Sequence, residues 1–126
     1  MKYSADQLMA MKRSKKISML TAYNYPTAHA LEKAGIMTLL VGDSVAMVEM
    51  GFDSTRSATI DMMTYHTNAV RRGAPQTHVI TDLPFKSYDT PEMAVSNAKK
   101  LIDAGADSVK LEGACIDVIK ALIAEN

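Results

Sequence analysis

An α/β fold of alternating strands and helices is what this sequence predicts, on three observations. Short apolar runs recur at 17–22 (ISMLTA), 36–41 (IMTLLV), 78–81 (HVIT) and 108–111 (SVKL), with a helical pattern between each pair. The helical patterns carry the expected caps, prolines and terminal glycines. The stretch EKAGIMTLLVG (32–42) is echoed by IDAGADSVKLEG (102–113), each reading as helix end, Ala-Gly turn, strand and glycine. Alternation of this kind implies parallel strands joined by right-handed crossovers. The repeated unit gives a (β/α) barrel or an open doubly wound sheet. No G-x-G-x-x-G follows any strand, which leaves the dinucleotide-binding version little support.

Taken in order, residues 4–15 form a short helix, with Ser4 as N-cap and Leu8, Met9 and Met11 as apolar surface. The first strand, 17–22, ends in the turn-like TAYNYP, and a helix from Pro26 places Ala28, Leu31 and Ala34 at helical spacing before Gly35 stops it. The second strand, 36–41, leads into a long irregular loop over 43–59. A helix from Asp61 sets Met62, His66, Ala69 and Val70 on one face and ends at Gly73 and Pro75. The third strand, 78–81, is closed by Asp82, Leu83 and Pro84. Thr90 then caps a helix with Pro91 at its first position and Glu92 complementing its dipole; it runs to Ala104 and stops at Gly105. After the fourth strand, 108–111, residues 115–125 form an amphipathic helix with Ile116, Ile119, Leu122 and Ile123 on one side. A complete eight-unit barrel takes about 250 residues. Residues 1–126 are therefore expected to be about half of one barrel domain, with no internal boundary.

Composition narrows the function classes. Apolar residues are 48% and charged residues 22%, a globular profile. Lys plus Arg equals Asp plus Glu at 14 each, so nothing points to nucleic acid or an acidic membrane. The single cysteine, Cys115, forbids an internal disulfide and fits a reducing compartment. With no long apolar run, neither signal peptide nor membrane span is expected, and the cytoplasm is the default location. The ten scattered methionines read as pliable core filler.

Chemistry gathers at the strand ends. The second strand ends in Asp43-Ser44 and the third in Asp82, while the fourth carries Lys110 and ends in Glu112. In parallel α/β architectures the C-terminal strand ends share one face, where ligands bind. Carboxylates crowded there resist ionisation unless a cation lies among them. Mg²⁺ suits such a set, because it takes one or two carboxylates and completes its octahedron with water and substrate oxygens. A single acid after a strand is otherwise a cap or turn residue, and that reading stays open for Asp43 and Asp82. Lys110 is an anion-binding charge, a Schiff-base nucleophile or a solvent-facing lysine; nearby acids favour the charged form. His66 reads as a packed core or helix-contact residue, and His29 and His78 have no acid or cysteine at ligand spacing. Cys115 reads as a buried or helix-start thiol, and the basic runs 12–16 and 71–72 as solvated cations at helix C-termini.

The motifs TAYNYPTA (21–28), LLVGDSVAMVEMGFDST (39–55), YHTNAVRRGAP (65–75), TDLPF (81–85) and VKLEG (109–113) resemble, in order and spacing, the first half of the ketopantoate hydroxymethyltransferase family. The resemblance implies that residues 1–126 are the N-terminal half of a phosphoenolpyruvate/pyruvate-type (β/α)₈ barrel, one that forms homo-oligomers or, here, pairs with a missing C-terminal half. It implies Mg²⁺, with Asp43, Asp82 and Glu112 in the metal site. It also implies transfer of a hydroxymethyl group from 5,10-methylenetetrahydrofolate to 3-methyl-2-oxobutanoate, giving 2-dehydropantoate for pantothenate synthesis. Asp43, Ser44, Asp82 and Lys110 would hold the keto acid. The family's glutamate general base matches no residue here, so no catalytic residue is assigned. Two departures stand out: Asn24 where the family often has Asp, and RSAT (56–59) in place of a Leu-Pro-Val-Thr type stretch. A Schiff-base keto-acid aldolase using Lys110, and a half-barrel that assembles or binds ligand without turnover, are the competing readings.

Overall fold

Four strands line up in the order in which the chain makes them. In the computed structural model, which describes residues 2–125, β1 (Met19–Thr21), β2 (Thr38–Val41), β3 (His78–Asp82) and β4 (Ser108–Lys110) form one parallel sheet ordered β1-β2-β3-β4. Thr38 stands opposite both Met19 and His78, and Asp82 opposite Lys110. Alternate positions divide the sheet into two faces. Leu39, Val41, Val79 and Thr81 are fully buried beneath the helices, whereas Leu40 and Ile80 on the inner face are half-buried and Met19 is exposed. The result is part of a barrel wall.

The helices form where caps start them. Ser4 and Gln7 build a reciprocal capping box on α1 (Ala5–Ala10), which is shorter than predicted because the chain turns at Met11 and enters the left-handed region at Arg13. The Oδ1 of Asn24 accepts the Thr27 N–H at 3.0 Å and caps α2 (Tyr25–Lys33). Asn and Asp cap equally well, which accounts for the Asn24 departure without invoking the site. The predicted loop 43–59 contains α3 (Val45–Val48) and a 3₁₀ turn (Thr55–Ser57), both too short to show a period in sequence. Val45 and Ala46 are fully buried there, so the apolar residues beyond Asp43 belong to the core.

On α4 (Ile60–Gly73) the buried face is Met63, Thr67, Val70 and Gly73, shifted from the predicted Met62, His66, Ala69 and Val70. Thr67 enters the core because its hydroxyl is satisfied, donating to the Met63 carbonyl at 2.7 Å and meeting Thr81 Oγ1 at 2.9 Å. His66 stands half-buried at the flank, its Nδ1 2.7 Å from the carbonyl of Tyr23 in the loop before α2, so it meets a loop and not a helix. α5 (Pro91–Asp103) has the predicted Thr90 cap and Pro91 start. On α6 (Ile116–Ala124) Val118 is the buried residue, and the predicted Ile116 and Ile123 are more than half exposed.

One arginine departs fully from its solvated expectation. Arg71 Nε donates to the Gly105 carbonyl at 2.7 Å, and Nη1 donates to the Ala74 and Thr77 carbonyls at 3.0 and 2.9 Å. Its Nη2 lies 2.5 Å from Asp107 Oδ2. Gly105 has φ +112°, and a Cβ there would fall 2.6 Å from Arg71 Cγ, so the turn before β4 admits glycine alone. Asp107 Oδ2 also accepts the Val79 N–H at 2.8 Å, and Oδ1 pairs with Lys2. Burial alone would raise the Asp107 pKa, but the Lys2 and Val79 hydrogen bonds and the Arg71 charge outweigh it and hold the carboxyl below its usual value. This network ties α4 to the N-terminal ends of β3 and β4.

Candidate active site

The site begins at the last residue of β2. Gly42 follows Val41 with little room for a side chain: a Cβ would lie a tight 3.0 Å from Ser44 Oγ, which would have to give slightly, and in ordinary contact with Asp82 Oδ2 at 3.6 Å. The Asp43 N–H donates to Asp82 Oδ2 at 3.2 Å, linking the ends of β2 and β3. Ser44 occupies the N-cap position of α3 yet makes no capping bond. Its hydroxyl meets the Tyr23 hydroxyl at 2.6 Å instead. Capping is therefore not what Ser44 does here.

β4 completes the set through the pairing of Asp82 with Lys110. Lys110 Nζ lies 2.9 Å from Asp82 Oδ1 and 3.8 Å from Glu112 Oε1. The Asp82 contact is an ion pair rather than an aligned hydrogen bond, because the buried Oδ1 has no donor in hydrogen-bonding geometry among the described residues. Burial of the ammonium works against its charge, but contact with Asp82 and the charges of Glu112 and Asp43 outweigh it and raise the Lys110 pKa. Asp43 is pushed the other way from an ordinary surface acid. Burial first, then repulsion from Asp82 and Glu112, raises its pKa, against the opposing pull of Lys110 and the Ser44 backbone.

Asp43, Asp82, Lys110 and Glu112 line one cavity of about 180 Å³ at the C-terminal rim, together with Arg56 and Phe85. The structure thus brings all the sequence-predicted residues to one rim, with Ser44 beside it, although Glu112 is 79% exposed. Among the described residues no three His, Cys, Asp or Glu side chains are close enough to hold a metal ion as they stand. The chemistry of the donors nevertheless suits Mg²⁺: Asp82 Oδ1 is a buried oxygen without an aligned donor, and burial together with the neighbouring carboxylates raises the Asp43 pKa, an effect a cation would oppose. His29 stacks on Tyr25, His78 is bonded to the Tyr3 carbonyl and Ser108, and neither reaches the rim. Cys115 is half-buried ahead of α6. Tyr23 and Arg56 were not singled out from sequence; Tyr23 lies in a quoted motif, but only the folded β1–β2 pair puts its hydroxyl on Ser44.

A family model described as ketopantoate hydroxymethyltransferase matches residues 2–126. The chain belongs to that family. The 3-methyl-2-oxobutanoate hydroxymethyltransferase of Geobacillus thermodenitrificans is 46% identical, over 97% of this chain and 45% of its own length. That of Dehalococcoides mccartyi is 51% identical, over 90% of this chain and 41% of its own length. The chain spans under half the length of these ketopantoate hydroxymethyltransferase relatives. Among solved structures, 2,3-dimethylmalate lyase, a PEP mutase/isocitrate lyase superfamily member, matches with TM-score 0.74 at 18% identity, over 97% of this chain and 48% of its own. Oxaloacetate acetylhydrolase matches with TM-score 0.72 at 15% identity, over 96% and 47%. These likenesses show the fold alone: the four-stranded parallel sheet is part of a barrel of that kind. Among the described residues no helix is long and apolar enough to cross a membrane.

Proposed function

We propose that the protein containing this chain transfers a hydroxymethyl group from 5,10-methylenetetrahydrofolate to 3-methyl-2-oxobutanoate, giving 2-dehydropantoate for pantothenate biosynthesis. The observation that carries this reading is the convergence of Asp43, Asp82 and Lys110 on one rim cavity beside Ser44, in a chain of this family. Asp43 and Asp82 would hold Mg²⁺, with Glu112 completing its surroundings. When bound, the ion supplies Lewis-acid stabilisation of negative charge on the keto oxygen.

The chain's own residues do the rest of the binding. Lys110, kept protonated by Asp82, neutralises the keto acid's carboxylate. The Ser44 hydroxyl, oriented by Tyr23, hydrogen-bonds the substrate and fixes its angle. The proton on C3 leaves to a base other than these residues, and C3 then bonds to the folate-borne methylene as one of the methylene's two bonds to folate nitrogens breaks. Water displaces the second nitrogen, supplying the new hydroxyl and leaving its proton on the departing tetrahydrofolate. A Schiff-base role for Lys110 is disfavoured, because the raised pKa withholds the free amine that such a nucleophile needs. The uncovered inner face around Met19, Leu40 and Ile80 favours assembly with a second half-barrel or with copies of the chain. A cytoplasmic location fits the same biosynthetic reading.

Calorimetric titration with 3-methyl-2-oxobutanoate tests this. Affinity is expected to require Mg²⁺, to vanish in EDTA, and to fall at least about tenfold in Asp43→Ala. Affinity indifferent to both EDTA and Asp43→Ala overturns the reading. Borohydride trapping of the keto acid on Lys110 would establish the aldolase in its place.

A further inference from the structure

Arg56 is the unexplained cation of the site. It lies in the 3₁₀ turn after α3 and lines the same cavity as Asp43, Asp82 and Glu112, yet among the described residues it forms an ion pair with none of them. Its guanidinium rests instead over the Phe85 ring, 4.7 Å from the centroid. Lys86 Nζ also lies over that ring, at 5.7 Å, and is likewise without an acidic partner among the described residues. Lys86 has φ +62°, a left-handed conformation uncommon outside glycine, so the loop after β3 holds it there at a cost.

An arginine in an acid-rich cavity ordinarily collapses onto a carboxylate, where its fork makes paired charge-assisted bonds. Here Asp82 is engaged with Lys110 and the Asp43 N–H, and Glu112 lies 3.8 Å from Lys110, while the Asp43 carboxylate forms no ion pair among the described residues and still does not draw Arg56 off the ring. The aromatic face keeps the guanidinium planar and presentable while leaving its donors open.

We propose that Arg56, seated on Phe85 and supported by Lys86, is a specificity-determining residue that takes a carboxylate on the far end of a ligand whose reacting end lies at Asp43 and Lys110. The proposal rests on the keto-acid reading of the cavity. Two ligands carry such a group: a keto acid with a second carboxylate, and a folate with its glutamate tail. The chemistry Arg56 recognises is the same in both.

The experiment is a set of binding titrations on wild type, R56L and R56K with Mg²⁺ present. The probes are 3-methyl-2-oxobutanoate against 2-oxoglutarate, and tetrahydropteroate against tetrahydrofolate. In R56L, affinity is expected to fall about tenfold for the member of one pair with the additional carboxylate, 2-oxoglutarate or tetrahydrofolate, and less than twofold for its partner, with R56K recovering part of the loss. The pair that responds identifies the ligand. Equal losses for both members, or no loss in either pair, overturn the role of Arg56 while leaving keto-acid binding intact. Absence of keto-acid binding to the wild type overturns the reading beneath it as well. Arg56 is exposed, so folding does not confound the variants.

Discussion

Each end of the sheet holds a cluster of opposite charges, and the two clusters are constructed on different terms. At the N-terminal end, Asp107 receives Lys2, Arg71 and the Val79 N–H, and Arg71 spends its remaining donors on three nearby carbonyls. Both oxygens are paired and the Asp107 pKa falls. At the C-terminal end, Asp43 is partly buried and faces Asp82 and Glu112 with one shared ammonium among them, so that burial first and repulsion second raise its pKa. The same residue types are used for closure at one end and left under-compensated at the other. A cluster that is satisfied without help holds the fold; one that improves when a cation and an anion enter is a binding site.

Breaking the closed end should have the larger effect on stability. Arg71→Ala leaves Asp107 and several carbonyls without a donor, and denaturant unfolding is expected to show a loss of about 3 kcal/mol. A loss below about 1 kcal/mol would mean the network is ornamental and the contrast false.

At the open end the sign reverses. Asp43→Asn relieves repulsion among the rim carboxylates and is expected to stabilise the chain by about 0.5–1 kcal/mol, while removing Mg²⁺ binding measured by titration. Destabilisation by Asp43→Asn, or retained Mg²⁺ affinity, would break the comparison from that side.

Acid titration of stability sharpens it with the smallest effect. Asp43 has a raised folded pKa, so the penalty for ionising it disappears as pH falls through that value, above the ordinary 3.8, and stability rises slightly. Asp107 has a lowered folded pKa, so its contribution is complete above 3.8 and is lost as pH falls through the lower folded value. A shallow maximum on the acidic side is expected, its rising limb absent in Asp43→Asn and its falling limb weakened in Asp107→Asn. Unfolding midpoints across pH measure both limbs.

What was legible in the sequence follows the range of the forces involved. Thr90 and Pro91 announce their helix because capping is local, and Asp43, Asp82 and Lys110 could be placed together because parallel strand ends share a face by topology alone. The Arg71 network was invisible, since its acceptors at Gly105 and Asp107 lie 34 and 36 residues away and the Ala-Gly turn stretch that contains them says nothing of an arginine partner. The shift of the buried face on α4 was hidden for a related reason. Thr67 looks polar until Thr81 arrives to pair its hydroxyl. The Arg56–Phe85 contact joins two loops whose approach depends on where α3 turns the chain.

The strand order has a consequence for how the chain folds. Because each strand pairs with the next one made, every unit can dock on a finished predecessor, but the intervals are unequal. Met19 finds Thr38 about 19 residues on, whereas Thr38 finds His78 about 40 residues on. Doubling a loop adds roughly 0.6 kcal/mol to its closure, so the first pair assembles early and the second is the slower joint. That longer interval is the one that carries Arg56 and α3. The segment that dresses the rim is therefore also the segment whose closure delays the sheet.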